Sequence, residues 1–118
     1  MNAVFSIKPQ YAQKIFEGSK WYEFRKVCCK QPIEKIYIYE TSPVCAITGE
    51  CTVNDVLQES PRVLWNLVSE NAGIPEKEYF RYFKGREKAV AYKLEHVIHY
   101  STPKKLQDFN FRTPPQSF

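Results

Sequence analysis

From Lys35 to Thr41 the chain alternates apolar and larger aromatic or polar residues with a period of two. An extended strand satisfies this pattern, placing Ile36 and Ile38 on one face and Tyr37 and Tyr39 on the other. Thr41-Ser42-Pro43 ends that strand. Further strands read from Val4 to Ile7, from Lys20 or Trp21 to about Lys26, from about Cys45 to Val56, and from Lys88 to Tyr100, the last one long and bent. Gly49 marks a bulge or a sharp bend within its strand. Helices are set off by proline and glycine. Pro9 opens one with Tyr11, Ala12, Ile15 and Phe16 on a single face, and Gly18 caps its C-terminus. Ser60-Pro61 opens a second, with Val63, Leu64, Leu67 and Val68 turned inward and Gly73 ending it. Pro75 opens a third, with Tyr79, Phe80 and Phe83 inward, closing near Gly85. The order β-α-β-β-β-α-α-β leaves no room for repeated βαβ crossovers. It predicts an α+β fold, a small mixed β-barrel of about five or six strands with about three short helices plugging its ends. Residues 1–118 read as one domain, with an irregular tail from about residue 101.

Composition narrows the class. At 118 residues, 43% hydrophobic and 15% aromatic, the chain is not intrinsically disordered. Its net charge of +4 is compatible with a polyanionic partner but falls short of the dense basic composition of histone-like proteins. No apolar run approaches the ~20 residues of a membrane-spanning helix, and the N-terminus lacks a secretory h-region. A soluble, cytoplasmic protein is expected. Cys28 and Cys29 are adjacent, and Cys45 and Cys51 are too widely spaced for a metal knuckle, so the thiols read as reduced and mostly as small core residues. His96 and His99 fall on opposite faces of a strand. No metal or cofactor is expected.

The most informative stretch is Gly18-Ser19-Lys20-Trp21-Tyr22-Glu23-Phe24-Arg25. On a strand, Trp21, Glu23 and Arg25 share one face while Tyr22 and Phe24 share the other. That arrangement puts rings into a core and an acid–base pair on a polar or cavity-lining face, with Lys20 at the strand mouth. The plain alternative is a surface Glu23–Arg25 pair of little energetic worth. In either case Phe24→Ala is expected to be far more costly than Arg25→Ala.

Gly18-x-Lys20-x-x-Glu23-x-Arg25, following the helix opened by Lys8-Pro9, resembles the signature of the ASCH domain family, which is related to PUA domains. Tyr39-Glu40-Thr41-Ser42-Pro43 and Gly49-Glu50 resemble the small stand-alone members. The resemblance implies a small β-barrel with a helix-lined cleft that receives RNA or a nucleoside-like ligand. One branch of the family cleaves acetylcytidine with a lysine, a threonine and a glutamate. The lysine matches Lys20, the threonine position falls on Glu23, and the glutamate aligns loosely with Glu70. Other members are ribonucleases.

With that resemblance, the expected site is a binding cleft lined by Lys8, Lys20, Glu23 and Arg25, and the resemblance implies RNA or a nucleotide as its partner. A modified-nucleoside amidohydrolase or a ribonuclease using the same residues is the alternative, with Lys20, Glu23 and Glu70 as its catalytic set. A protein-interaction module is the third reading. Lys84, Arg86 and Lys88 form a basic turn that either grips phosphates or is simply solvated. Trp21, Tyr22, Tyr37 and Tyr39 offer rings for stacking or for the core. The segment Pro114 to Phe118 either folds back across the barrel to wall the cleft or runs exposed.

Overall fold

The computed structural model describes residues 1–109. Five strands, β1 (Asn2–Ile7), β2 (Tyr22–Arg25), β3 (Lys35–Glu40), β4 (Ala46–Glu59) and β5 (Ala89–Lys104), alternate with three helices, α1 (Pro9–Glu17), α2 (Pro61–Val68) and α3 (Glu76–Tyr82). The strands form one mixed sheet in the order β1-β3-β4-β5-β2. β1 pairs with β3 in parallel, and every other pairing is antiparallel. The expected element order and α+β class hold, with five strands. The barrel does not close: β1 and β2 remain the two edges of the sheet, with no ladder between them.

The period-two reading of β3 is realised. Ile36 and Ile38 enter the main core beneath α1 with Phe5, Ile7, Ala12 and Ile15. Tyr39, with Tyr37 at its edge, packs on the other face against Val4 and Ile47. A separate core lies under α2 and α3, where Phe24 meets Leu64, Val68, Tyr79 and Phe83. The rings of Phe24 and Tyr79 meet edge to face at 5.2 Å, a favoured aromatic geometry. Tyr22 packs at the margin of that core.

Three local expectations are corrected. First, α2 buries Leu64 and Val68 but leaves Val63 and Leu67 exposed, because its packed stripe runs through Leu64, Trp65 and Val68, with the Trp65 ring against Tyr79. It ends at Val68 and continues as a 3₁₀ turn through Asn71, ahead of Gly73. Second, β5 runs on to Lys104, so the tail does not begin at residue 101. Its register against β4 shifts between Ile47 and Gly49, where a short stretch of β4 faces a longer stretch of β5, and Pro103 is accommodated in that irregular segment. The bulge expected at Gly49 belongs to the same shift. Third, Cys45 departs from the expectation that the thiols serve mostly in the core: it is exposed, whereas Cys51 is buried and Cys28 and Cys29 pack partly buried against the main core. The segment from Pro114 to Phe118 lies outside the described residues.

The asymmetry of α2 gives a direct test. Leu64→Ala should destabilise the protein by ~2–5 kcal/mol through the cavity it leaves, whereas Leu67→Ala should stay within about 0.5 kcal/mol. Urea midpoints of the two variants would separate them, and equal losses would mean that the helix presents a different face.

Candidate functional site

The local sequence builds the site by ending α1 abruptly. Gly18 adopts a left-handed conformation (φ 90°) that a side chain would disfavour, and its N–H closes the helix on the carbonyls of Ile15 and Lys14. Ser19 and Lys20 also donate their N–H groups to Lys14 O, at 3.0 and 3.1 Å. The chain therefore turns inward, and Lys20 enters the protein instead of standing at the strand mouth. Only 3% of Lys20 is exposed. Its Nζ donates to the carbonyl of Ala72 at 2.8 Å and sits 4.6 Å from the Phe24 ring centroid and 5.3 Å from that of Tyr11. Gly73 (φ 65°) presses its backbone against the lysine stem, and a Cβ there would run into Lys20 Cβ and Cγ.

Burial disfavours the charged ammonium and lowers the Lys20 pKa from 10.5 to about 8. The nearby Glu23 charge works against that shift, while Lys14 and Arg25 add to it.

Glu23 and Arg25 do face the same way, but they are not a surface pair. Arg25 donates to Glu23 Oε2 at 2.9 Å, with side chains 2% and 10% exposed respectively. The same guanidinium donates to Ser6 O on β1 at 2.8 Å and lies 4.5 Å from the Phe5 ring. A side chain from one sheet edge thus reaches the backbone of the other, at the seam the strands leave open. Trp21 does not join this face. It precedes β2, stays about half exposed and turns its indole N–H back to Gly18 O at 2.9 Å.

Above the seam is a cavity of about 440 Å³. The end of β1 and the start of α1 supply Ser6, Lys8, Gln10 and Tyr11, the segment through β2 supplies Lys20, Glu23, Phe24 and Arg25, and α3 supplies Glu78, Arg81 and Tyr82. Tyr11 donates to Glu78 Oε2 at 2.7 Å, joining α1 to α3 beside the cavity. Partial burial and that carboxylate raise the Tyr11 pKa to about 12. The wall therefore combines cations, carboxylates, hydroxyls and rings, a set able to hold a polar, planar, partly anionic ligand.

Of the residues nominated from sequence, Lys8, Lys20, Glu23 and Arg25 come together, with Lys8 exposed at the rim. Glu70 does not join them: it lies exposed on the 3₁₀ turn after α2 and is not part of the cavity wall. Lys84, Arg86 and Lys88 are exposed and also outside that wall, with Arg86 donating to Lys26 O at 3.1 Å. Sequence reasoning missed Glu78, Arg81 and Tyr82. They share α3 with the inward-facing Tyr79, but nothing in their spacing signals that α3 borders α1.

Comparison with known proteins places the chain in a family. Residues 1–111 match a family described as a domain of unknown function, DUF365. The crystal structure of ASCH from Zymomonas mobilis superimposes with a TM-score of 0.84 at 33% identity, covering 98% of this chain and 84% of that one. The chain belongs to the ASCH family. An ASCH domain-containing ribonuclease of Zymomonas mobilis is 34% identical over 93 residues, 78% of this chain and 63% of the relative. An ATP synthase subunit alpha of Ureaplasma parvum is 34% identical over 116 residues, covering 98% of this chain but 14% of that protein. This ASCH domain thus spans from about a seventh to under two thirds of the length of these curated relatives.

The burial of Arg25 removes the ranking expected from sequence, in which Arg25→Ala costs far less than Phe24→Ala. Arg25→Ala strands Glu23 without its partner and should cost ~3–5 kcal/mol, comparable to ~3–5 kcal/mol for Phe24→Ala. A urea titration in which Arg25→Ala is near neutral would refute the buried bridge. Lys20 makes a pH-dependent contribution. Its native pKa lies below the unfolded value, so below about pH 8 both states are charged and the burial cost is carried in full. Between about 8 and 10.5 the unfolded chain binds more protons, so this cost is relieved as pH rises. Relative to Lys20→Met, native stability should rise with pH by on the order of 1 kcal/mol across the lower half of that window. The tyrosines and Cys51, which titrate in both proteins, drop out of the difference. Parallel stability–pH curves for the two proteins would refute the lowered pKa.

Proposed function

We propose that this ASCH domain binds RNA and seats one nucleotide unit in the cavity between α1 and α3. The observation that carries the reading is the composition of that cavity. At about 440 Å³ it falls in the ~300–1,000 Å³ range of small-ligand sites, and it backs a buried Lys20 and a buried Glu23–Arg25 pair with the exposed cations Lys8 and Arg81 at its rim. A base enters against the rings and polar groups of the wall, and the phosphates stay at the rim, where cations meet them in solvent. The ribonuclease name of a relative at 34% identity supports an RNA ligand.

A second reading, RNA cleavage, is favoured by Lys20 in particular. With a pKa of about 8, roughly a tenth of it is neutral near pH 7, and a neutral amine can take the proton of a 2′-hydroxyl as that oxygen attacks the adjacent phosphorus. The P–O5′ bond then breaks, the departing 5′-oxygen takes its proton back from the Lys20 ammonium through water, and a 2′,3′-cyclic phosphate and a 5′-hydroxyl are left. The cations of the cleft offset the charge that gathers on the phosphorane oxygens. The amide-cleaving reading has less support, since Glu70 stands outside the cavity and Glu23 occupies the place of the hydroxyl.

Filter retention of labelled single-stranded RNA at several salt concentrations tests the binding reading. Lys8→Ala with Arg81→Ala should weaken binding and lower the slope of log affinity against log salt by roughly one to two units. The triple change of Lys84, Arg86 and Lys88 to alanine should leave both nearly unchanged. The opposite pattern would move the RNA surface to that turn. Gel analysis of the same mixtures reports cleavage, which under the second reading rises toward pH 8 and is lost in Lys20→Met.

A further inference from the structure

We propose that the cavity reads the lactam edge of a nucleobase, the carbonyl beside a ring N–H that guanine and uracil carry, with Lys20 donating to the carbonyl oxygen and Glu23 accepting from the ring N–H. This rests on the RNA reading above and gives it a base preference. Both groups hold hydrogen-bonding capacity that the fold leaves unspent. The Lys20 ammonium carries three donors. The Ala72 carbonyl takes one, the neighbouring contacts are ring faces, and no described ion pair includes the residue. Glu23 accepts from Arg25 through Oε2, and no described hydrogen bond uses Oε1. Both side chains line the cavity, and both are largely removed from solvent. A donor and an acceptor with spare capacity on one sheltered wall, still reachable from the cavity, are completed by a ligand or by water.

The ligand edge that completes them pairs an acceptor with an adjacent donor. In guanine O6 stands beside N1–H, and in uracil O4 or O2 stands beside N3–H. The lactam N–H is also more acidic than an exocyclic amine, which strengthens its hydrogen bond to a carboxylate. Cytosine fails at the second contact: with its carbonyl on Lys20, the unprotonated N3 points a lone pair at Glu23. Adenine has no carbonyl to offer. A cavity of about 440 Å³ admits purine and pyrimidine alike, so the polar pair and not size makes the selection. Arg25, on the same wall, positions Glu23, since its hydrogen bonds to Glu23 and Ser6 O fix the carboxylate against the seam.

The test compares short single-stranded oligoribonucleotides of equal length made of uridine, inosine, adenosine or cytidine on the native protein. Inosine keeps the lactam edge of guanine and, lacking the 2-amino group, self-associates less, so the oligomers are kept short and at low salt. Uridine and inosine oligomers should bind roughly ten-fold or more tightly than adenosine and cytidine oligomers. N3-methyluridine, which replaces the N–H with a methyl, should lose that advantage. Equal binding of all four, or a preference for adenosine or cytidine, would overturn the lactam reading while leaving RNA binding intact. Should no RNA be retained, the RNA reading falls, and calorimetry with the four nucleoside monophosphates decides the cavity separately. Preference for GMP and UMP would then support the lactam reading on its own, and its absence would overturn it. Glu23→Gln, once circular dichroism shows it folded, should level the four oligomers. If that variant does not fold, the comparison on the native protein is decisive.

Discussion

Arg25 is the member on which both the fold and the cavity depend. The sheet stays open between β1 and β2, and a backbone ladder that would have closed it is replaced by one guanidinium donating to Ser6 O on one edge and to Glu23 on its own. Arginine suits this task because its planar fork donates in two directions at once and stays charged in a buried setting. Phe5 covers one side of it. A complete hydrogen-bond ladder would have filled the seam with backbone. The side-chain bridge leaves space above it, and that space is the cavity.

Burying such a pair is not a route to high stability. Desolvating two charges costs about as much as their attraction returns, and an apolar replacement is often at least as stable. The expense is concentrated where a ligand would benefit from it. Lys20 adds a second cation nearby, balanced only in part by Glu23, and Gly73 lets the chain press close enough to keep water off its stem. The resulting wall is pre-organised: its groups are held by contacts made within the protein before any ligand arrives, so less ordering is needed on binding.

Much of this was legible in the sequence, and what was not has physical reasons. The strand at Lys35–Glu40 announced both its faces because each carries large residues in strict alternation. Gly18 announced the end of α1, and the spacing of Glu23 and Arg25 placed them on one face. Depth was not legible. An acid and a base two apart on a strand look the same whether solvent or a neighbouring helix covers them, so the sequence reading set Arg25 below Phe24 in energetic weight. Lys20 went deeper than expected because Gly73, more than fifty positions along the chain, packs against it, a contact that no local pattern records. The same applies to Glu78 and Arg81, whose role follows from α3 lying beside α1. Val63 and Leu67 misled because apolar residues at helical spacing do not say how wide the buried stripe is.

If the cavity takes a nucleotide as proposed, the charge distribution accounts for how a chain with a net charge of only +4 suits a polyanionic ligand. Net charge governs long-range attraction, but the potential inside a cleft is set by the few charges lining it and by the low-dielectric walls that focus their field. Lys20, Glu23 and Arg25 leave one net positive charge on the buried wall, and Lys8 with Arg81 add two at the rim against the one carboxylate of Glu78, which Tyr11 already engages. Phosphate is therefore attracted to the rim, where water still helps solvate it. Driving it deeper would set it against the Glu23 carboxylate at a distance where screening is weak. A neutral group with a polar edge meets no such penalty inside. Under the proposed RNA reading, the arrangement separates the two halves of a nucleotide by charge alone, anion outside and base within.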